Sequence, residues 1–164
     1  MTEPLPLAGA LVWFRRDLRA ADHAALHHAL KSARQVHCAF VFDTDILDPL
    51  PRADRRVEFI RDSLVELDAE LRALAAAHGV EGAGLLVRHG PAVRALPQLA
   101  AALHVQAVYA SHDDDPDALA RDAQVRGALA EAGIALHTSK DHVIFERSEL
   151  LTQAGTPYSV FTPY

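Results

Sequence analysis

Two charged segments hold the side chains best suited to binding a ligand. The first, Arg15–Arg19 (RRDLR), directly follows the apolar run Ala10–Phe14, and the second, His112–Asp115 (HDDD), follows Val105–Ser111. Arginine donates N–H groups to phosphates, carboxylates and carbonyls, whereas carboxylates accept hydrogen bonds or bind cations. Because the two segments have opposite charge, they either pair with each other or line a polar crevice.

Other common ligand-binding motifs are missing from the sequence. The first charged segment has neither the GxGxxG nor the GxxxxGK[ST] pattern with which backbone N–H groups cradle phosphates. His23 and His27 are four residues apart, but no carboxylate or cysteine follows at a convincing ligand spacing, so we predict no metal site. In the acidic run Asp113–Asp115, the last residue precedes Pro116 and is typical of a helix cap. We therefore expect no catalytic residue in this chain.

Composition limits the possible functions. The 164 residues suffice for one domain with a buried core, and 50% hydrophobic with 23% charged residues is typical of a globular protein. The net charge of −6 argues against strong DNA binding by this chain, because phosphate recognition needs a basic surface. The single cysteine, Cys38, excludes an internal disulfide. No apolar run reaches membrane-spanning length and the first residues lack signal-peptide features, so we expect a cytoplasmic protein without membrane contact.

The hydrophobic pattern alternates between strands and amphipathic helices. The longest helix is expected over about Arg52–His78, where Leu64 and Leu67 belong to an apolar face with three- and four-residue spacing. Asp22 is expected to cap an earlier helix, and Val143–Phe145 to form a short strand or a packed extended segment. Five strands are predicted, at Ala10–Phe14, Val36–Phe42, Gly84–Arg88, Val105–Ser111 and Ile134–Thr138.

This alternation predicts an α/β fold. We expect a doubly wound, Rossmann-like, five-stranded parallel sheet of order 3-2-1-4-5 with helices on both faces. In that order the topological switch lies between strands one and four, and ligands bind there at the carboxyl ends of the strands. Both charged segments meet at this edge. We therefore predict a ligand crevice bordered by Arg15, Asp17, Arg19, Asp114 and Asp115, with Phe42 and Asp43 on its flank.

Three motifs in the sequence resemble those of the DNA photolyase/cryptochrome family. They are Leu11–Arg19 (LVWFRRDLR), the acidic pair before Pro116 followed by Arg121-Asp122, and Gly155–Tyr164 (GTPYSVFTPY). The resemblance extends from about residue 10 to the end of the chain, and its first and last motifs are specific. It implies that residues 1–140 form the N-terminal α/β domain of such a protein. Residues 141–164 would then wrap this domain or lead to a larger helical domain.

The resemblance also implies a function, that of a bacterial-type photolyase specific for cyclobutane pyrimidine dimers. Such an enzyme splits these dimers in UV-damaged DNA by light-driven electron transfer from FADH⁻. The FAD and the DNA contacts would belong to the helical domain, outside this chain. The α/β domain would help to hold an antenna chromophore, a deazaflavin, a flavin or a folate, in the predicted crevice. Folate-binding members have Asn-Glu where this sequence has Asp117-Ala118, which disfavours folate.

Two other functions are compatible with parts of the sequence. A cryptochrome-type blue-light photoreceptor shares the same α/β domain, so this region cannot separate it from a photolyase. A stand-alone nucleotide-binding α/β module without catalysis needs a glycine-rich phosphate loop after the fourth strand, and the sequence has an acidic run at that place.

Overall fold

Five parallel strands form the central sheet of the protein. The structure, a computed structural model, describes residues 6–146 and 149–157. The strands are β1 (Leu7–Phe14), β2 (Ala33–Phe42), β3 (Leu85–His89), β4 (Ala107–Ser111) and β5 (Ala135–Ser139). Their order is β3-β2-β1-β4-β5, and every pair is parallel. The predicted fold class and strand order are therefore confirmed.

Helices cover both faces of the sheet. They are α1 (Ala24–Ser32), α2 (Thr44–Leu47), α3 (Arg55–Ala77), α4 (Ala92–Ala102) and α5 (Pro116–Glu131). On one face, α1 and α3 bury Leu26 and Leu67 in a common apolar cluster, and on the other, α4 and α5 bury Leu96 and Leu129. Among the described residues, no helix is both long and apolar enough to cross a membrane.

β1 lies at the centre of the sheet and is buried on both faces. Its alternating side chains enter the two apolar clusters in turn, so that Leu11 and Trp13 join α4 and α5, whereas Val12 and Phe14 join α1 and α3. A continuous apolar strand of this kind is typical of parallel sheets. Cys38 on β2 is also buried, and burial raises the pKa of its thiol to about 12. The thiol is therefore protonated at neutral pH.

Two local predictions were wrong, and the predicted long helix is confirmed with its start shifted by three residues. Helix α1 is capped by His23, because its Nδ1 accepts the Leu26 N–H, whereas Asp22 has a positive φ of 50° just outside the helix. The predicted long helix begins only at Arg55, and the short helix α2 precedes it. Val143–Phe145 forms no strand, and its side chains are 46–82% exposed. Tyr158–Tyr164, with most of the last family motif, lies outside the described residues.

The apolar face of α3 predicts a clear stability effect. Leu67 is 1% exposed, and replacing it with alanine is expected to lower the free energy of unfolding by about 2–3 kcal/mol, because the site loses packed methyl groups. Val65 lies on the opposite side of the same helix and is 65% exposed, so Val65→Ala is the matched control, with an expected change of at most about 0.5 kcal/mol. Urea denaturation of both variants measures the difference. Equal midpoints would mean that α3 is not packed on the sheet through Leu67.

Candidate functional site

A buried carboxylate organises the segment after β1. Asp17 is 2% exposed, its Oδ1 accepts the backbone N–H of Arg15 at 2.8 Å, and its Oδ2 accepts the Ser111 hydroxyl at 2.6 Å. His23 Nε2 lies 2.7 Å from the same Oδ2, a close contact whose angle falls outside ordinary hydrogen-bond geometry. These residues, the Asp17 cluster, join the end of β1 to the end of β4 and the start of α1.

His23 connects the Asp17 cluster to helix α1. Its Nδ1 accepts the Leu26 N–H at 3.1 Å, which assigns the ring proton to Nε2, the nitrogen that faces Asp17. Burial by itself would raise the pKa of Asp17. The contacts from His23 and Ser111 and the Arg15 N–H outweigh burial and hold that pKa well below its usual range. Asp17 is thus a permanently charged structural anchor at neutral pH.

Arg15, just after β1, connects this strand to β4 and α5 through its side-chain hydrogen bonds. Its Nη1 donates to both carboxylate oxygens of Asp122, at 2.7 and 2.8 Å, and its Nη2 donates to the carbonyl oxygen of Ser111. The side chain is only 7% exposed, and its guanidinium carbon lies 4.7 Å from the centre of the Trp13 ring. Arg15 therefore pairs with a carboxylate, but its partner comes from α5 and not from the strand-four segment.

Arg121 is a candidate ligand-binding residue that the sequence analysis did not place in the crevice. Its side chain is 17% exposed, and its Nε is buried without a hydrogen-bond partner among the described residues. Its terminal nitrogens lie 3.5 Å from Asp122 and 4.0 Å from Asp43, longer than ordinary charge-assisted hydrogen bonds. Buried N–H groups are normally bonded, so this guanidinium lacks acceptors, and its terminal nitrogens, with only distant partners, are the donors for a ligand. The sequence signal that could have placed Arg121 here is the Arg121-Asp122 motif, which lies about one turn into the helix after the switch-point strand.

The two residues predicted on the flank of the crevice face different ways. Asp43 is 6% exposed and accepts the N–H groups of Asp45 at 3.2 Å and Ala92 at 3.1 Å, so it caps α2 and touches the start of α4 beside Arg121. Phe42 packs edge-on against Phe40, with ring centres 5.0 Å apart, in the cluster under α1 and α3. Only Asp43 therefore lies on the Arg121 side of the sheet.

The outer rim of this edge is charged and exposed. Arg16 is 66% exposed and lies 3.2 Å from Asp113 and 4.0 Å from Asp115. Asp115 accepts the Asp117 N–H at 3.0 Å and caps α5, which confirms the predicted cap. Asp114 is exposed in the same loop. The strand-one and strand-four segments thus meet, as the topology predicted.

Arg19 points toward the segment after β5. Its guanidinium donates to Asp141 at 2.8 Å, and Asp141 also accepts the Ala24 N–H at 2.9 Å. Farther along, Glu146 lies 2.9 Å from His112 in the loop after β4. These polar contacts fasten residues 141–146 across the carboxyl edge of the sheet. Arg19 therefore helps to hold residues 141–146 against the sheet edge and does not lie with Arg15 and Arg121.

One trio near this edge has ligand atoms close enough for a metal ion. Those of Asp17, Asp141 and His142 lie within 4.8 Å of one another. Both carboxylates are already engaged, Asp17 by the donors of its cluster and Asp141 by Arg19 and the Ala24 N–H. A cation would have to displace these donors, so the trio is better explained as part of the structural network.

The comparison with known proteins identifies the family of this chain. The family model for DNA photolyase matches residues 10–164. The chain belongs to the DNA photolyase family. Among curated members, it is 34% identical over 157 residues to a deoxyribodipyrimidine photo-lyase from Synechococcus sp., covering 96% of this chain and 31% of that protein. It is 33% identical to a cryptochrome DASH from Natronomonas pharaonis, covering 94% and 32%.

Solved structures of photolyases have the same fold. A class III photolyase from Agrobacterium tumefaciens superposes with a TM-score of 0.80 at 27% identity, covering 99% of this chain and 32% of that one. A Sulfolobus tokodaii photolyase solved with two FAD molecules gives 0.72 at 29% identity, covering 85% and 32%. The chain thus spans about a third of the length of these photolyases and corresponds to their α/β region.

Proposed function

We propose that this chain is the N-terminal α/β domain of a light-driven deoxyribodipyrimidine photolyase that repairs cyclobutane pyrimidine dimers. The observation that carries this proposal is the alignment with a deoxyribodipyrimidine photo-lyase over 96% of the chain. We place the domain at residues 1–140, with 141–164 leading to a helical domain that binds FAD and damaged DNA. When bound there, reduced FAD supplies the electron that splits the dimer. The similarity to a cryptochrome DASH makes a blue-light photoreceptor the second candidate.

The intact gene product tests this proposal. Purified under non-denaturing conditions, it should contain FAD and should split thymine dimers in an oligonucleotide back into thymines under blue light but not in the dark. Bound FAD without repair of any dimer-containing substrate would favour the photoreceptor. Absence of FAD would overturn both functions.

We further propose that the chain helps to hold an antenna chromophore at the carboxyl edge of the sheet. The orphaned Nε of Arg121 and the long contacts of its terminal nitrogens support a ligand there, because those donors need acceptors. Arg15 and Asp17 would shape the floor of this site, Asp43 would orient Arg121, and the rim would consist of Arg19, Asp114 and Asp115. Phe42 would support it from the opposite face.

The charges around Arg121 indicate what kind of group it would receive. Two guanidiniums, of Arg15 and Arg121, stand beside two carboxylates, of Asp43 and Asp122, so the site is balanced in formal charge. A balanced site suits carbonyl acceptors on a neutral, flat ring better than a phosphate. Deazaflavin, flavin and folate rings all carry such acceptors. The absorption spectrum and mass of the chromophore released from the intact gene product distinguish the three.

Replacing Arg121 with glutamine is expected to lower antenna occupancy in the intact protein by at least about fivefold, because a charged hydrogen-bond donor to the ring is lost. The FAD of the helical domain should stay at its original stoichiometry. Arg61→Gln is the matched control, since Arg61 is 71% exposed on α3 and should leave both chromophores unchanged. Chromophore content per chain, measured by absorption after denaturation, checks this. Full antenna occupancy in Arg121→Gln would exclude Arg121 as a contact.

The chain by itself should bind DNA weakly. With a net charge of −6, its Kd for undamaged duplex at physiological salt is expected to exceed about 1 μM, since the phosphate backbone attracts basic surfaces. A fluorescence anisotropy titration measures this, and a tighter Kd would contradict our assignment of the DNA contacts to the helical domain.

We also propose that the protein acts in the cytoplasm, which imaging of a tagged gene product checks.

A further inference from the structure

Two positive charges lie over the only tryptophan of the chain. Trp13 is 3% exposed, and the guanidinium carbons of Arg15 and Arg121 lie 4.7 and 5.3 Å from the centre of its ring. Both are within the range of cation–π contact. One such contact would be explained by packing, but two on a single buried ring place both guanidiniums of a charge-balanced site against the indole. We call these three residues the Trp13 cluster.

The surrounding contacts hold the two guanidiniums in place. Arg15 is fixed by its paired bonds to Asp122 and by the Ser111 carbonyl. Arg121 lies between Asp122 and Asp43, at 3.5 and 4.0 Å. The carboxylates offset part of the positive charge, yet the groups in contact with the indole are the guanidiniums. Because electrostatic energy falls with distance, the nearest charges dominate the potential at the ring.

This potential affects how easily the indole loses an electron. Removing one electron from Trp13 leaves a radical cation, and a radical cation beside two positive charges is destabilised by repulsion. A photoexcited flavin-type ring is a strong one-electron oxidant, and a nearby tryptophan is a common donor to it. If Trp13 gave up an electron, the indole would be oxidised and the excited ring reduced by one electron. The return of that electron would dissipate the absorbed energy as heat.

We propose that Arg15 and Arg121 keep Trp13 from reducing a photoexcited chromophore at this edge of the sheet. The proposal rests on the proposed antenna role, in which Arg121 is the group between the ring and the indole. Energy absorbed by the antenna is then passed on instead of being lost to Trp13. Arg121 has two roles in this arrangement, as a hydrogen-bond donor to the ring and as an electrostatic shield for the indole.

The test measures the oxidation of Trp13 by a probe that does not have to bind. Flavin mononucleotide is excited by a laser flash in the presence of the chain, and the decay of its triplet state gives the rate constant for electron transfer. Subtracting the value for Trp13→Phe isolates the contribution of Trp13. Arg121→Met removes the charge while keeping much of the side chain, and Arg121→Lys keeps the charge. Arg121 is varied because Arg15 has more internal bonds to lose.

Arg121→Met is expected to raise the Trp13 rate constant by at least about threefold, and Arg121→Lys to leave it near the original value, since charge and not shape sets the potential. Acrylamide quenching of Trp13 fluorescence controls for access and should be equal in the two variants. Equal acceleration in both variants, or no acceleration in either, would overturn the proposal. So would a triplet decay that Trp13→Phe leaves unchanged in the Arg121→Met background.

The result is independent of whether the antenna role is correct. Flavin mononucleotide in solution reports the oxidation of Trp13 even if the chain holds no chromophore. Antenna occupancy in the intact protein is measured separately, with Arg121→Gln. A shielded Trp13 without an antenna would refute the proposed antenna role and leave the electrostatic effect standing. An antenna beside a Trp13 that Arg121 does not shield would leave the antenna role standing and refute the electrostatic effect.

Discussion

Replacing Asp17 with alanine is expected to lower the free energy of unfolding by about 4 kcal/mol, more than the loss expected for Leu67→Ala. The variant leaves the Ser111 hydroxyl and the Arg15 N–H without their acceptor in a buried place, and it removes the carboxylate that faces the His23 ring. Three elements lose their common anchor at once. The midpoint of urea denaturation, with an unchanged slope, measures the loss.

Two further variants separate charge from packing at Asp17. Asp17→Asn keeps the size of the side chain and one acceptor oxygen, so its loss should be intermediate. Asp62→Ala is the matched control, because Asp62 is 57% exposed and should change stability by at most about 0.5 kcal/mol. If Asp17→Ala were no less stable than Asp62→Ala, the Asp17 cluster would not be an anchor of the fold.

The same cluster predicts how stability depends on pH. In the unfolded chain an aspartate titrates near pH 4, whereas in the folded chain the pKa of Asp17 is held lower. The stabilisation is therefore fully present above about pH 4 and is lost as the pH falls through the folded value. Asp17→Ala should accordingly lose less stability between about pH 5 and pH 2 than the original chain does. Parallel acid titrations of both proteins, followed by circular dichroism, check this sign.

Replacing Arg15 with alanine is expected to cost about 3–4 kcal/mol of unfolding free energy, because it removes the Nη1 donor of both Asp122 oxygens in a mostly buried place and leaves only the longer Arg121 contact. The adjacent Arg16 offers an unusually close control. It is 66% exposed, and its contact with Asp113 is a surface ion pair, so Arg16→Ala should change stability by at most about 1 kcal/mol. Thermal or urea denaturation of the two variants compares neighbouring arginines of opposite burial.

The contrast would fail if the two variants were equally stable. That result would mean that the Arg15–Asp122 pair contributes no more than a surface contact does. Asp122→Asn supplies a second measurement, since it removes the same charge pair from the other side. Its cost should resemble that of Arg15→Ala and should not add to it fully, because both changes break one interaction.

The class and strand order of the fold could be predicted from the sequence because the signals are local. The run of apolar residues in β1, the three- and four-residue spacing around Leu67 and the Asp115-Pro116 cap each depend on neighbours along the chain. Parallel strands joined by helices then have few allowed arrangements. The family motifs are also local strings, so membership could be predicted from the residues alone and was confirmed by the family match.

The partners of the charged side chains could not be predicted in the same way. Topology brings the loops after β1 and β4 together, but it does not say which carboxylate each arginine reaches. Arg15 pairs with Asp122, 107 residues away, and Arg19 with Asp141, 122 residues away. These choices depend on side-chain direction and on the tilt of α5, which only the packed structure defines. For the same reason Arg121 was missed as a ligand donor.

The helix cap at His23 also depends on a tertiary contact that local sequence does not reveal. From composition, aspartate is the better cap, and Asp22 was the natural choice. In the folded chain, Asp17 holds the far side of the His23 ring, so that Nδ1 is free to accept the Leu26 N–H. Sequence by itself determined that this chain forms a parallel α/β sheet with a charged edge. Tertiary structure decided which charged groups at that edge pair with each other and which remain for a ligand, because burial and pairing arise only when distant segments pack together.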